Sequence, residues 1–295
     1  MKRVSIFLDL EGTIFDGVDF LPQFNDFIES ISNRENVDLS IITNSPGFTS
    51  QDLQNKLAAH IINTNIKQKL KIIDTSKVVI SNLLKLINDN QIHSIFALVP
   101  DCLFMDIKKE LGNAINIYRP SDHEGIAEQI AENINLKSDV DAIIIGVDEE
   151  NFSFCTISLA ARYVIEKKAQ FFVIGGDHQF RRGDTFIPGA YALATPVRTG
   201  AFVDPIILGK PNLNSLMANP EFNEIMKSSS SDNEIWVIGD NIETDIRFAD
   251  EIKAKSILVL TGVAKKEDLL KPEYSMLNPT YVCKDLNEVF NKIFE

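Results

Sequence analysis

Two acids stand two residues apart in "VSIFLDLEGTIF", residues 4–15: Asp9 and Glu11, just after an apolar run. Three further polar clusters also follow short apolar runs. They are Thr43, Asn44 and Ser45 after "LSII", Lys210 in "LGKP" after "PIIL", and Asp240 in "VIGDNIETDI", with Asp245 one turn on. A single acid at a strand end is more often a helix cap than a catalyst. Four clusters bearing carboxylates, a hydroxyl and an amine suit phosphoryl transfer better. Carboxylates at 9 and 240 can hold a hard divalent cation, and an oxygen-rich, thiol-poor site favours Mg²⁺. Asp9 could attack phosphorus to give an aspartyl phosphate. Glu11 could protonate the leaving oxygen and then activate water. Lys210 and the Thr43 hydroxyl would neutralise and orient the phosphate oxygens.

Such groups act together only if the elements carrying them converge. In open parallel sheets, ligands bind beyond the carboxyl ends of the strands, where these clusters sit. Seven near-continuous apolar runs read as buried parallel strands: "VSIFLDL", "VDLSIITN", "HSIFALVP", "DAIIIGV", "QFFVIGG", "IWVIGD" and "SILVLTG". Helical stretches lie between them. "TSQDLQNKLAAHI" puts Leu53, Leu57 and His60 or Ile61 on one face, and "TSKVVISNLLKLINDN" opens on a capping Ser or Thr. Alternating strand and helix predicts an α/β class with parallel sheets. Acid-bearing strand ends cluster near residues 9, 43 and 240, and the middle of the chain lacks them. The expected organisation is a core built from residues 1–77 and 201–295, with residues 78–200 inserted as a second α/β domain.

Composition narrows the functional classes. A net charge of −13 disfavours a general nucleic-acid binder, which needs clustered Lys and Arg. It leaves room for one small anionic ligand held by local donors. The three cysteines show neither CxxC spacing nor a disulfide framework, which fits a reducing cytoplasm. No stretch reaches the roughly 18 apolar residues of a membrane span.

"DLEGTIFDG", "ITNS", "GKP" and "IGDNIETDI" resemble the four motifs of the haloacid dehalogenase-like (HAD) phosphatases. "FFVIGGDHQFRRGDTFIPGAYAL" resembles the "TNxD…PGAGAL" segment of the NagD/p-nitrophenylphosphatase/phosphoglycolate phosphatase branch. "IIIGVDEENFSFCTISLAARYV" and "SILVLTGVAKKEDL" match that branch as well. The resemblance implies a Rossmann-like three-layer α/β/α core with an inserted α/β cap. It implies Mg²⁺-dependent hydrolysis of a small phosphorylated metabolite. By resemblance Asp9 is the nucleophile and Glu11 the acid/base, which also offers its backbone carbonyl to the metal. Thr43, Asn44 and Lys210 bind the phosphoryl group, Asp240 ligates the metal, and Asp245 supports the metal shell. It also leaves homodimerisation through the cap open to the chain.

The chain departs from the family at several positions. DxEG replaces the usual DxDG, so Glu11 places its acid about one bond length further out, a shift that matters for proton transfer. A catalytically impaired phospholigand-binding or regulatory protein on the same scaffold is therefore a rival reading. A response-regulator-like phosphoacceptor using Asp9 and Lys210 is another, though an insertion of cap size has no role there. In the cap, Gly175 matches the family's Asn, and Tyr191 replaces a glycine. Asp177, His178 and Tyr191 are the candidates for substrate contact. Tyr191 equally suits filling an apolar gap, and His178, Arg181 and Arg182 could contact an anionic substrate tail, though a cluster of this kind is more often a solvated surface.

Overall fold

The computed structural model describes residues 3–17, 19–32, 34–61, 69–128, 131–228 and 233–294. All seven apolar runs form strands. β1 (Val4–Leu8) is buried along its whole length, as continuous apolar character requires. It pairs in parallel with β2 (Val37–Ile42) on one side and β11 (Glu234–Gly239) on the other. β3 (Lys71–Ile73) extends the sheet beyond β2, and β12 (Lys255–Val259) and β13 (Tyr281–Cys283) extend it beyond β11. The resulting order among the described residues is β13-β12-β11-β1-β2-β3.

A second parallel sheet has the order β10-β7-β6-β4-β5. Its strands are β4 (Ser94–Leu98), β5 (Asn116–Tyr118), β6 (Ala142–Ile145), β7 (Gln170–Ile174) and β10 (Ile206–Leu208). An antiparallel hairpin, β8 (Gln179–Arg182) and β9 (Thr185–Pro188), follows β7. Each sheet has its own apolar core. Ile95, Phe96, Ile143, Ile144, Phe172 and Val173 lie in the second. Ile6, Leu8, Ile41 and Ile238 pack on one face of the first sheet, and Phe7, Val237 and Phe248 on the other.

The chain passes between the sheets differently from the sequence expectation. Helix Thr75–Asn88 runs unbroken through the 77/78 boundary. It places Val78 against the first sheet and Val79 and Leu83 in the second core. After helix Ala190–Ala201, β10 still pairs with β7, so the return to the first sheet comes after Leu208 rather than at 201. A three-residue strand has too little pattern to declare its sheet.

The cap of helix Thr75–Asn88 also differs. Asp74 accepts from the Lys77 N–H, while the Thr75 hydroxyl reaches the carbonyls of Thr43 and Ser45 and braces that loop. Helix Ser50–His60 buries Leu53 and Leu57 as its spacing predicts. No described helix is long and apolar enough to cross a membrane.

Candidate active site

The chemistry gathers where the carboxyl ends of both sheets meet. β1 delivers Asp9, β2 delivers Thr43 and β11 delivers Asp240. Lys210 arrives from the other sheet, two residues beyond the end of β10. Its ammonium donates to Asp9 Oδ1 and to Asp245 Oδ1, each at 2.5 Å, with all three groups buried. Asp240 Oδ2 accepts the Val263 N–H at 2.6 Å. Asp240 needs bare backbone beside it. A Cβ at Gly12, where φ is +77°, would fall 2.4 Å from its carboxylate, and one at Gly262 would fall 1.9 Å away.

One oxygen each from Asp9, Asp240 and Asp245 lies within 4.8 Å of the others. Burial raises the Asp9 carboxyl well above its usual range, Lys210 pulls it back, and Asp245 and Asp240 add to the rise. Burial and then the neighbouring Asp245 charge push Asp240 up to about 8. Burial by itself would lower Lys210, but Asp245, Asp9 and Asp177 outweigh it and raise its pKa. Three crowded carboxylates with one ammonium lack positive charge. An all-oxygen donor set of this kind fits a hard cation such as Mg²⁺. Asp245, expected one step from the metal, contributes to the cluster itself. The Glu11 side chain lies outside it.

Glu11 instead faces a cavity. Its Oε1 accepts from the Ser45 hydroxyl at 3.0 Å, and its Oε2 is buried without a partner. Burial raises its carboxyl to about 7, opposed by the Ser45 bond. The Thr43 hydroxyl accepts the Ser45 N–H at 2.9 Å and keeps its own proton to donate. Asn44 is committed elsewhere. Its side-chain Nδ2 donates to Asp177 Oδ2 at 2.7 Å and to the Lys210 carbonyl at 3.0 Å, and its Oδ1 accepts the Lys210 N–H at 2.9 Å. The side chain of Asn44, expected to bind the phosphoryl group, is thus spent on loop geometry.

The cavity has a volume of about 280 Å³ and is lined from both sheets. Asp9, Glu11, Thr43, Asp240 and Asp245 line it, with Phe15 and Phe48. Phe180, Arg181 and Arg182 of the hairpin line it too, with Ile174 of β7 and Val147 just beyond β6. Asp177 also lines it, but its oxygens face Asn44, Asn241 and Thr244. His178 and Tyr191 lie outside the lining and pack on each other, with ring centroids 4.9 Å apart. The gap-filling alternative for Tyr191 agrees with that position better than substrate contact does.

The sequence places Ser45 in a polar cluster without giving it a role, and it does not single out Asn241 and Thr244 as site residues. Their only signal was their position inside the acid- and threonine-bearing stretches.

A family model described as HAD-hydrolase-like matches residues 207–289. Over 96% of this chain and 92% of its own length, a 4-nitrophenylphosphatase from Schizosaccharomyces pombe is 24% identical. An acid sugar phosphatase from Staphylococcus saprophyticus is 27% identical over 99% of both chains. A p-nitrophenyl phosphatase from Archaeoglobus fulgidus superposes with a TM-score of 0.73 over 99% of this chain and 100% of that one, at 17% identity. NagD from Escherichia coli K-12 superposes at 0.65 over 98% of each, at 20% identity. In its motifs, both sheets and nearly its whole length, the chain is thus similar to the haloacid dehalogenase-like hydrolases, and most of all to the branch that includes NagD and the p-nitrophenyl phosphatases.

Proposed function

We propose that this protein is a phosphatase that hydrolyses a small-molecule phosphomonoester through an aspartyl phosphate on Asp9. The observation that carries this reading is the buried Asp9–Lys210–Asp245 constellation, with Asp240 beside it and Glu11 on the same cavity. Asp9, Asp240 and Asp245 would hold Mg²⁺, whose charge supplies the screening that lets an anionic carboxylate approach an anionic ester. Lys210 fixes the Asp9 carboxylate by a charge-assisted bond and adds positive charge beside the transferring group. The Thr43 hydroxyl donates to a phosphoryl oxygen.

In the first step an Asp9 oxygen bonds to phosphorus and the bond from phosphorus to the alcohol oxygen breaks. Glu11 gives its proton to that oxygen. In the second step Glu11 takes a proton from water, the water oxygen bonds to phosphorus, and the aspartyl–phosphorus bond breaks to release phosphate. A carboxyl near 7 can do both at neutral pH. Its free Oε2 and its bond from Ser45 favour a working acid over the impaired reading.

We assign the second sheet, its helices and the hairpin to a substrate-selecting cap that excludes bulk water from the cavity. Unpaired Cys102, Cys155 and Cys283 accord with a cytoplasmic enzyme. The test is phosphate release from a panel of phosphomonoesters with Mg²⁺ or with EDTA. Metal-dependent release that vanishes in Asp9→Asn is expected. No release from any ester by the wild-type protein would overturn the reading.

A further inference from the structure

Three loops of the site meet at one side chain that comes from neither the nucleophile's strand nor its neighbours. Asp177 follows β7 of the second sheet by three residues. Its Oδ2 accepts from Asn44 Nδ2 at 2.7 Å. Its Oδ1 accepts from Asn241 Nδ2 at 3.1 Å and from the Thr244 hydroxyl at 3.2 Å. We propose that Asp177 is a positioning residue for the reaction proposed above, a carboxylate that clamps the Thr43, Lys210 and Asp240 loops together and does not bind substrate.

Each arm of the clamp leads to a group with a chemical task. Asn44 is adjacent to Thr43 and holds both the N–H and the carbonyl of Lys210, so fixing its amide fixes the stem of the lysine. Asn241 is adjacent to Asp240, and its Oδ1 accepts the Glu243 N–H at the start of the π turn Ile242–Ile246. Thr244 precedes Asp245 within that turn. The clamp is itself braced: the Gly176 N–H donates to the Lys210 carbonyl, and the Asp177 carbonyl accepts the Tyr191 N–H. Close packing against Asn44 is enforced as well, because a Cβ at Gly175 would lie 2.8 Å from the Asn44 side chain.

Chemistry also argues against substrate contact. Three donors already fill most of what a carboxylate accepts. Its remaining charge would repel a phosphoryl group. Removing it leaves three donors facing a void, which loosens three loops at once.

The test is steady-state kinetics of Asp177→Ala and Asp177→Asn on p-nitrophenyl phosphate and on two alkyl phosphomonoesters. A positioning role predicts that kcat falls about 10–100-fold, the usual loss when a supporting partner is removed. It predicts the same factor for every ester, with KM within about threefold. A KM increase that depends on the leaving group would make Asp177 a substrate contact and overturn the proposal, as would an unchanged kcat.

If Asp177→Ala does not fold, Thr244→Val removes one donor only and should lower kcat by a smaller, ester-independent factor. An unchanged kcat there would equally overturn the clamp. Wild-type turnover is the reference. Its absence would sink the phosphatase reading alone, and the clamp would then be judged by whether Asp177→Ala weakens binding of inorganic phosphate about tenfold or leaves it unmoved.

Discussion

The Ser45 hydroxyl holds one oxygen of Glu11 at 3.0 Å, while the other oxygen is buried without a partner on the cavity side. The carboxyl is therefore oriented but not satisfied, an arrangement suited to passing a proton. If it does so, Glu11→Gln should lower kcat/KM, which reports the step that expels the alcohol, on alkyl phosphomonoesters by about 10²–10⁴-fold, the usual contribution of a positioned acid or base. The loss on p-nitrophenyl phosphate should be smaller, because a nitrophenolate leaves with little need of a proton. Comparing the two substrate types measures the effect, and equal losses on both would remove Glu11 from the acid role.

The same residue sets a pH signature on stability. Its folded pKa, about 7, lies above its ordinary 4.5. The folded protein therefore holds a proton that the unfolded chain releases, and this contribution to stability declines as pH rises from about 4.5 to about 7. Above 7 the buried carboxylate is a full penalty. Glu11→Gln should then raise Tm relative to wild type at pH 8, in EDTA, and leave it unchanged at pH 4. Thermal unfolding at the two pH values checks the sign.

Metal binding should show up without turnover. Asp240, pushed up to about 8, holds a proton near neutrality when no cation is bound. Mg²⁺ must displace that proton, so the stabilisation it gives should grow between pH 6 and pH 9. At 100 times Kd it amounts to about 2.7 kcal/mol, which a Tm shift resolves readily. Asp240→Asn should abolish most of the Mg²⁺-dependent shift. A shift that persists would put the ion elsewhere.

Two hairpin arginines line the cavity, but they are not equivalent. Arg182 is bound by Glu149 at 2.5 Å, whereas Arg181, which lies over the Phe186 ring, has as its one carboxylate among the described residues the fully exposed Asp184, at 3.6 Å. Arg181 is thus the freer cation for a second anionic group on the substrate. Arg181→Ala should raise KM about tenfold for a phosphomonoester whose alcohol bears a carboxylate, the loss of one charge-assisted hydrogen bond. It should leave KM for p-nitrophenyl phosphate within about twofold. Parallel KM measurements decide it.

The long apolar runs made both sheets legible in the sequence, since strands buried on two faces must be apolar almost throughout. The three-residue strands β3, β5, β10 and β13 were not legible, because a pattern that short has no period. Asp9, Thr43, Lys210 and Asp240 could be picked out because each follows a strand or a short apolar run. What Asn44 and Asp177 do could not be read in the same way. Their roles depend on partners 133 residues apart, and local sequence carries no record of which donor an amide will find. The capping of helix Thr75–Asn88 by Asp74 shows the same limit at short range. Three neighbouring residues can each cap, and the choice falls to the one that the loop beside Thr43 leaves free.

The arrival of Lys210 from β10 also bears on how the chain is made. Asp9 and its ammonium partner are 201 residues apart. At ribosomal rates of about 5–20 residues per second, Asp9 is exposed for roughly 10–40 seconds before that lysine is synthesised. β11, which flanks β1 and brings Asp240, comes later still. The strands of the second sheet, by contrast, all lie within residues 94–208 and are complete before β11 appears. The middle of the chain can therefore fold first on the ribosome, and the nucleophile's own sheet closes last around a partner already standing in place.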